Sequence, residues 1–222
     1  MVMETIEVLK KSDLFKGLSD EELQLLADLT KTRKVPKNTL VINESDISST
    51  LFFIKEGRVN VTLANEEGKE VILNSLQEGD HFGELSLLDG EPRSTNIITT
   101  QPCQFFILHK EDFFRLLEKN SAIAINTIKY LCGQVRQITK NVESLALMDV
   151  YGRLVKLLLK LAIPNESGAM EIKQPLTHRE IALRVGSSRE MISRILKELE
   201  KGDYLKIENK IITIKKRLPL AW

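Results

Sequence analysis

The chain has 222 residues, of which 42% are hydrophobic and 28% are charged, and this balance is typical of globular proteins rather than disordered or membrane-spanning ones. No apolar run reaches the roughly 18 residues that a transmembrane helix needs, and the N-terminus lacks the basic and apolar segments of a signal peptide. The two cysteines are too few for a disulfide framework. We therefore expect a cytoplasmic protein without a membrane segment.

The charge is distributed unevenly along the chain. The net charge is +1, yet residues 173–222 carry twelve Lys and Arg against six Asp and Glu, a net charge of +6. The remaining residues therefore carry −5, which is +1 minus +6. A basic C-terminal quarter indicates a polyanionic partner at that end, although a solvated charged surface has the same composition.

The N-terminal half predicts one short helix followed by many strands. Ser19 and Glu22 form a capping-box pattern that predicts a helix over Asp20–Leu29. After Pro36, short apolar segments alternate with turns that contain glycine, which favours a barrel, a sandwich or a roll. The predicted strands are Leu40–Ile42, Leu51–Lys55, Arg58–Leu63, Val71–Leu76, Asn96–Thr99 and Cys103–His109.

Residues 82–94 read Phe-Gly-Glu-Leu-Ser-Leu-Leu-Asp-Gly-Glu-Pro-Arg-Ser, and they combine groups that suit a sugar phosphate. Backbone N–H groups near Gly83 can point at an anion, and Arg93 offers a planar fork of donors that matches phosphate oxygens. Ser94 adds a hydroxyl donor, whereas Glu84 can accept a hydrogen bond from a ribose hydroxyl. For each residue taken singly, the alternative is an ordinary surface turn with one arginine in a salt bridge.

A heptad pattern follows the predicted strands. Apolar residues recur at alternating spacings of three and four, which indicates a long helix with a narrow apolar seam. These residues are Ile128, Leu131, Val135, Ile138, Val142 and Leu145. Because such a seam needs a partner helix, we expect a symmetric homodimer through residues 128–145. The alternative is that the stripe packs on the strands of its own chain.

The C-terminal region predicts a small domain with helices and a hairpin. A helix is predicted over Val150–Ile163, and a loop follows at Pro164–Gly168. The segments Tyr204–Ile207 and Ile211–Ile214 alternate with turn residues in a way that predicts a hairpin, or wing.

Between that loop and the hairpin, the pattern predicts two short helices joined by a tight turn. Thr177 and Glu180 form a capping-box pattern that begins the first helix, and Gly186 ends it. Ser187 and Glu190 form a second capping-box pattern that begins the next helix. Two short helices in this order indicate a helix-turn-helix.

The second of these helices, Ser188–Lys201, divides into two faces at about 100° per residue. The apolar face, which would pack on the core of the domain, holds Met191, Ile192, Ile195, Leu196 and Leu199. The opposite face holds Arg189, Glu190, Ser193, Arg194 and Lys197. Arginine pairs with guanine and glutamate accepts from the cytosine amino group, so this division predicts a recognition helix for the DNA major groove. As an alternative, Glu190 serves only as a cap and a partner of Arg194.

The segment 82–94 resembles the phosphate-binding cassette of the cyclic-nucleotide-binding domain. The pattern of that cassette runs Phe-Gly-Glu-Leu, an apolar stretch, and then Pro-Arg-Ser or Pro-Arg-Ala. The resemblance implies that five residues hold the cyclic phosphate and the ribose of a nucleotide. They are Gly83, Glu84, Leu85, Arg93 and Ser94.

The segment Thr177–Lys197 resembles the helix-turn-helix of the catabolite activator (CRP/FNR) family. The recognition helix of that family carries Arg-Glu and a second Arg four positions after the Glu, as Arg189, Glu190 and Arg194 do here. The resemblance implies that these three residues read a half-site like TGTGA in double-stranded DNA. The further expected DNA contacts are Thr177, His178, Arg179, Ser188 and Lys197.

Together the resemblances cover almost the whole chain and imply an α+β protein with three parts. These are an N-terminal β-roll (jelly-roll-like, cyclic-nucleotide-binding) at residues 1–110, a dimerisation helix region at 111–146 and a C-terminal winged helix-turn-helix at 147–222. The implied function is a ligand-gated, allosteric, homodimeric transcription regulator that binds palindromic DNA. By the same analogy the loop Pro164–Gly168 contacts RNA polymerase, unless it is only a connector.

The sequence departs from the family pattern where the long helix completes the ligand pocket. In the family, two adjacent hydroxyl residues near the middle of this helix meet the adenine, and Ile138 and Thr139 stand at those positions here. Ile138 cannot hydrogen-bond the base, whereas Thr139 offers its hydroxyl to the pocket of the partner subunit, and Gln134 replaces an arginine. These departures leave the phosphate site intact and affect only the selection of the base. The resemblance still implies cAMP as the first effector, with cGMP, a cyclic dinucleotide or no ligand as alternatives.

Two other classes of function are alternatives to a transcription regulator. A nucleotide-sensing module that acts on a protein partner explains the cassette but leaves the basic C-terminal region without a role. An enzyme needs a nucleophile–base pair, paired carboxylates or a metal motif, and the sequence presents none of these patterns. The three histidines lack metal-ligand spacing, so we expect neither an enzyme nor a metal site.

Overall fold

The computed structural model describes residues 2–68, 70–165 and 169–219 of the chain. Its internal contacts divide the chain into two compact units. The first comprises Met1–Lys69 and Leu73–Arg136, and the second comprises Glu70–Ile72 and Gln137–Trp222.

Two helices and a short 3-10 turn precede the strands of the first unit. Helix α1 spans Val2–Lys11, the turn spans Asp13–Phe15, and helix α2 spans Asp20–Leu29. The predicted capping box of α2 is confirmed, because the Ser19 hydroxyl accepts from the Glu22 N–H while the Glu22 carboxylate accepts from the Ser19 N–H.

Eight strands follow within the described residues before Lys110. They are β1 Lys31–Val35, β2 Leu40–Ile42, β3 Thr50–Glu56, β4 Arg58–Ala64, β5 Glu70–Gln77, β6 His81–Phe82, β7 Asn96–Thr99 and β8 Cys103–His109. They form two four-stranded sheets, with the orders β1-β8-β3-β6 and β2-β7-β4-β5. Strand β3 pairs antiparallel with both β8 and β6, so it brings the start of the cassette next to the middle of its sheet.

Strands β3 and β8 separate two hydrophobic cores, because successive side chains of a strand point to opposite faces of the sheet. Phe52 and Ile54 of β3 pack with Phe105 of β8 in one core. Leu51 and Phe53 pack in the other core, with residues of α1 and α2. Burial on both faces explains why β3 carries four consecutive buried residues and shows no polar alternation.

One helix lies in the cassette, and two more follow strand β8. Helix α3 spans Glu84–Asp89, α4 spans Lys110–Lys119, and α5 spans Ser121–Leu147. The 27 residues of α5 include the whole predicted heptad seam. Because α5 runs past Arg136, it contributes residues to both units.

The second unit contains three further helices and a small sheet. Its elements are α6 Val150–Leu161, β9 Ile163–Pro164, β10 Met170–Ile172, α7 His178–Val185, α8 Arg189–Lys201, β11 Leu205–Glu208 and β12 Ile211–Ile214. The sheet order is β11-β12-β10-β9, and the apolar sides of α6, α7 and α8 form one core with it. This arrangement of antiparallel strands, a long helix and a helix-turn-helix with a hairpin confirms the predicted α+β fold class.

The structure differs from the predicted elements in several places, and it adds the short elements β6, α3 and β10, which the sequence does not predict. The sequence does not predict α1, nor β1, whose mostly charged and exposed residues lack an apolar pattern. Helix α6 ends at Leu161 rather than Ile163, because Ile163 and Pro164 pair with β10 as strand β9. Of the predicted loop Pro164–Gly168, residues 166–168 lie outside the described residues.

Candidate nucleotide site and nucleic-acid interface

The cassette folds as a strand, a turn and a short helix. Strand β6 ends at Phe82, Gly83 adopts a left-handed conformation with φ of 89°, and α3 begins at Glu84. A Cβ atom on Gly83 would lie 2.6 Å from Nη1 of Arg93 and 2.8 Å from the Thr50 carbonyl oxygen. Both the backbone conformation and the close approach of Arg93 therefore require glycine at this position.

Arg93 lies at the centre of the cassette and is only 4% exposed. Its Nη1 donates to the Gly83 carbonyl oxygen at 2.8 Å and to the Ser86 hydroxyl at 2.7 Å. Its Nη2 donates to the Ser48 hydroxyl at 2.6 Å and to the Thr50 carbonyl oxygen at 2.8 Å. Its Nε donates to the same Ser48 hydroxyl at 3.1 Å, so every nitrogen of the guanidinium has a partner.

All of these acceptors are neutral hydroxyl or carbonyl oxygens. Among the described residues, no carboxylate accepts a hydrogen bond from Arg93. Burial lowers the pKa of Arg93, and the charges of Glu84 and Asp46 act in the opposite sense. Because a buried cation is costly unless an anion compensates its charge, a phosphate would supply what this site lacks.

The loop between β2 and β3 holds the backbone of Arg93. The Ser45 N–H donates to the Arg93 carbonyl oxygen at 2.8 Å, and the Arg93 N–H donates to the Asp46 carbonyl oxygen at 2.9 Å. The roles of Ser48, in this loop, and of Thr50, the first residue of β3, were not predicted from the sequence. They stand 45 and 43 positions from Arg93, and their short polar run is the only sequence signal that they give.

Glu84 is half-buried next to Tyr130 of α5. The Tyr130 hydroxyl donates to Oε1 of Glu84 at 3.4 Å, and burial raises the pKa of the Glu84 carboxyl. The centroid of the Tyr130 ring lies 4.4 Å from that of the His81 ring. This contact of Tyr130 with the cassette was not predicted, because 46 residues separate Tyr130 from Glu84 in the sequence.

His81 is a buried neutral base next to this carboxyl. Its Nδ1 lies 3.2 Å from the Ser12 hydroxyl, whereas its Nε2 is buried and has no hydrogen-bond partner in the described part of the chain. Burial lowers the pKa of His81 to about 4. The imidazole therefore fills space between β6 and α5 without adding charge at neutral pH.

The other predicted ligand residues lie in two places. Leu85 and Ser94 are exposed on the cassette itself, near the buried Arg93. Thr139 lies on α5 and belongs to the second unit. The structure thus gathers five of the six predicted ligand residues in one segment.

Helices α7 and α8 form the predicted helix-turn-helix. The Thr177 hydroxyl accepts from the Glu180 N–H at 3.2 Å and the Glu180 carboxylate accepts from the Thr177 N–H at 2.7 Å, which confirms the first capping box. Gly186 ends α7 with φ of 69°. Arg153 of α6 donates to the Val185 carbonyl oxygen at 2.8 Å. This contact, which was not predicted, satisfies a carbonyl group at the end of α7.

The second predicted capping box is wrong. Ser188 rather than Ser187 caps α8, with its hydroxyl accepting from the Met191 N–H at 3.2 Å. Because the helix begins one residue later than the pattern requires, its third position holds Met191 instead of Glu190. Glu190 is therefore left on the exposed surface of the first turn.

The two faces of α8 differ in burial as the sequence predicts. Ile192, Ile195, Leu196 and Leu199 are buried in the core of the second unit. Residues of the opposite face are exposed, namely Ser188, Arg189, Glu190, Arg194 and Lys197. Ser193 is half-buried, because its hydroxyl lies 2.8 Å from Nδ1 of His178 and joins α8 to α7. Among the other predicted DNA contacts, Arg179 is exposed and Thr177 is half-buried.

The heptad seam of α5 is exposed in the single chain. Its exposed members are between 59% and 63% accessible, and they are Ile128, Val135, Ile138, Val142 and Leu145. Leu131 is half-buried. This exposure contradicts the alternative that the stripe packs on the strands of its own chain.

The described residues contain neither a membrane-spanning helix nor a cluster of metal ligands. Over those residues, no helix combines the length and the apolar character needed to cross a bilayer. The same residues contain no group of three or more His, Cys, Asp or Glu side chains arranged to hold a metal ion.

Comparison with protein families identifies both halves of the chain. Residues 32–120 match the cyclic nucleotide-binding domain, and residues 152–221 match the Crp-like helix-turn-helix domain. The chain is also 32% identical to the cAMP-activated global transcriptional regulator CRP of Pasteurella multocida over 200 residues, which is 88% of this chain and 95% of that relative.

Solved structures show the same fold. The catabolite activator protein of Thermus thermophilus is 26% identical, and the match covers 92% of this chain and 94% of that one with a TM-score of 0.57. The c-di-GMP responsive global regulator CLP of Xanthomonas campestris has a TM-score of 0.76 at 22% identity, over 90% of this chain and 100% of that one. The chain belongs to the CRP/FNR family of transcription regulators, with a cyclic-nucleotide-binding domain and a helix-turn-helix domain for DNA.

Proposed function

We propose that this regulator works as a homodimer that binds a cyclic nucleotide, in the first place cAMP, and then reads palindromic DNA with TGTGA-like half-sites. The observation that carries the nucleotide part is Arg93, a buried cation whose hydrogen-bond acceptors are all neutral. A site that encloses a positive charge without a paired carboxylate is suited to an anion.

The proposed roles within the cassette follow from its geometry. The cyclic phosphate takes the charge of Arg93 and approaches the turn at Gly83, where the absence of a side chain leaves room for the guanidinium. Glu84 accepts a hydrogen bond from the ribose hydroxyl, and the exposed residues Leu85 and Ser94 border the ligand. To bind the phosphate, Arg93 gives up some of its hydrogen bonds to neutral hydroxyl and carbonyl oxygens. It donates instead to the charged oxygens of the phosphate, which form stronger hydrogen bonds.

The choice of cAMP is supported by the relatives. The regulator of Pasteurella multocida that covers most of this chain is described as cAMP-activated, whereas the structural neighbour CLP is described as c-di-GMP responsive. Ile138 offers no hydrogen bond to a purine amino group, so Thr139 is the proposed contact to the base. Thermal shift with cAMP, cGMP and c-di-GMP tests this choice, because a specific ligand raises the melting temperature by mass action.

Dimerisation is supported by the exposed seam of α5. Five apolar side chains at heptad spacing, each about 60% exposed, would be costly to leave in water. Pairing with α5 of a second copy removes them from solvent, and a symmetric dimer is the commonest solution for such a surface. The functional division that we assign is therefore 1–110 for the ligand, 111–146 for dimerisation and 147–222 for DNA.

The exposed face of α8 supports sequence-specific contacts to DNA. Arg189 and Arg194 present forks that match the acceptors of guanine, and Glu190 presents a carboxylate to the cytosine amino group. To Arg179, which lies 3.6 Å from a carboxylate oxygen of Glu70 and is exposed, and to the exposed Lys197 we assign contacts with phosphates. In a symmetric dimer, two such helices read half-sites about one helical turn apart.

The nucleotide acts as an allosteric effector if it binds one arrangement of the dimer more tightly than the other. We place this activity in the cytoplasm, where a DNA-binding regulator meets its sites, and we assign no enzymatic step to the chain. By family analogy the segment Pro164–Gly168 contacts RNA polymerase.

Selection of DNA from a random pool, with and without cAMP, tests the proposal. We expect a palindromic sequence to be enriched only when cAMP is present. Enrichment of no sequence under either condition, together with specific nucleotide binding, would instead favour a regulatory module that acts on a protein partner.

A further inference from the structure

Tyr130 connects the cassette with α5. Its hydroxyl donates to Oε1 of Glu84 at 3.4 Å. Burial and the charge of Glu84 raise the pKa of the Tyr130 phenol, and the side chain of Gln134, one turn further along α5, acts in the opposite sense. The ring of Tyr130 lies against His81, with ring centroids 4.4 Å apart. The phenol is thus fixed on both sides and points its hydroxyl at the carboxyl of the cassette.

The carboxyl of Glu84 already has a donor in the free protein. The Tyr130 hydroxyl donates to it, and burial raises the pKa of this carboxyl while the backbone of Glu84 and Gly83 acts in the opposite sense. A carboxylate has only about four lone-pair sites, and a half-buried one offers fewer of them to a ligand. The ribose hydroxyl that is assigned to Glu84 must therefore compete with the Tyr130 hydroxyl for the same group.

We propose that Tyr130 is a ligand-displaced contact: in the free protein its hydroxyl holds the position on Glu84 that a ribose 2′-hydroxyl takes in the complex. This inference rests on the proposed function, because it assumes that a ribonucleotide binds at the cassette. Displacement of Tyr130 breaks a link between Glu84 and α5, so occupancy of the sugar site changes the contacts of the helix that carries the apolar seam. Tyr130 thereby makes the response of α5 to the ligand depend on the 2′-hydroxyl of the ribose.

The test compares two ligands in one pair of proteins. Titration calorimetry measures the affinity of the wild type and of Tyr130→Phe for cAMP and for 2′-deoxy-cAMP. A competing hydrogen bond of ordinary net strength, about 0.5–1.5 kcal/mol, contributes a factor of about 2 to 12 to an equilibrium. We expect cAMP to bind Tyr130→Phe more tightly by a factor in this range, while the affinity for 2′-deoxy-cAMP stays the same.

Tyr151→Phe is the matched control. The Tyr151 hydroxyl donates to the Pro219 carbonyl oxygen in the second unit at 2.9 Å, so its removal should change neither affinity. A second variant, Gln134→Leu, removes the group that orients the phenol and should shift cAMP affinity in the same direction as Tyr130→Phe. The Gln134→Leu variant still tests the role of the phenol if Tyr130→Phe folds poorly.

The outcomes separate the inference from the function on which it rests. An equal change for both ligands, or no change for either, overturns the role of Tyr130 while leaving the nucleotide site intact. A folded wild-type protein that binds neither ligand overturns the nucleotide site itself, and the inference with it.

Discussion

The cassette and helix α8 both carry arginines to which we assign phosphate-containing ligands, but they are built in opposite ways. Arg93 is 4% exposed and its hydrogen bonds reach residues of two other segments of the chain. The charged residues of α8 are exposed, and one amphipathic helix is enough to position them. A change in the cassette should therefore disturb both ligand and fold, whereas a change on the outer face of α8 should disturb the ligand alone.

The largest expected effect comes from Arg93→Leu. The variant removes the only proposed charge partner of the cyclic phosphate and leaves the acceptors of Ser48, Thr50 and Ser86 without a donor. Loss of one partner from a buried charged pair costs about 3–5 kcal/mol, so cAMP affinity should fall at least about 100-fold. Titration calorimetry measures this, with Arg93→Lys as the variant that keeps the charge. Unchanged affinity in Arg93→Leu would refute the cassette assignment.

The buried surroundings of the cassette also make the stability of the protein depend on pH. The pKa of His81 is about 4 in the folded protein against 6.5 ordinarily, so the unfolded chain binds the proton first as the pH falls. Stability is therefore lost between about pH 6.5 and pH 4, by up to about 3 kcal/mol. Urea unfolding of His81→Phe should show a smaller loss over this window than the wild type. Parallel curves for the two proteins would exclude His81 as the cause.

Gly83→Ala tests the close approach of Arg93. Gly83 and Gly17 both have left-handed conformations, with φ of 89° and 83°, but a Cβ on Gly17 would meet no atom within 4 Å. Each alanine costs about 1–2 kcal/mol of backbone strain, and only Gly83→Ala should also lower cAMP affinity, by about 10-fold or more. Equal cAMP binding by the two variants would show that Arg93 moves aside without loss.

Substitutions on the exposed face of α8 should have the smallest effect on the stability of the fold. Arg194→Ala removes a proposed base contact, so affinity for the selected DNA sequence should fall by about 1–3 kcal/mol and discrimination at one base pair should relax. Its melting temperature should stay close to that of the wild type. Lys201→Ala, at the end of the same helix, is the control in a gel-shift assay. An equal loss for both variants would indicate charge alone rather than base reading.

Elements with strong local patterns could be predicted from the sequence. The strands β2, β7 and β8 have the predicted bounds, and the caps of α2 and α7 follow from the spacing of Ser19 with Glu22 and of Thr177 with Glu180. The prediction of the α8 cap failed because two adjacent serines, Ser187 and Ser188, each offer a hydroxyl group that can cap the helix. In the structure the Ser187 N–H donates to the Ala182 carbonyl oxygen at 3.0 Å and so belongs to the end of α7, which leaves Ser188 to cap α8.

The partners of the site residues could not be predicted in the same way. The cassette motif identifies Arg93, yet its hydrogen bonds to Ser48 and Thr50 depend on the pairing of β3 with β6, which is a non-local property. The contact of Tyr130 with Glu84 likewise depends on how α5 packs against the first unit. Neither position belongs to a motif that the sequence displays.

The central claim is that a nucleotide held by Arg93 controls DNA binding by α8. Fluorescence anisotropy with the selected palindromic DNA, in the wild type and in Arg93→Leu, with and without cAMP, tests this claim directly. The account predicts that cAMP strengthens DNA binding of the wild type at least about 10-fold, in the usual range of allosteric coupling, and has no effect on the variant. Equal cAMP-dependent strengthening in a folded Arg93→Leu protein would contradict it.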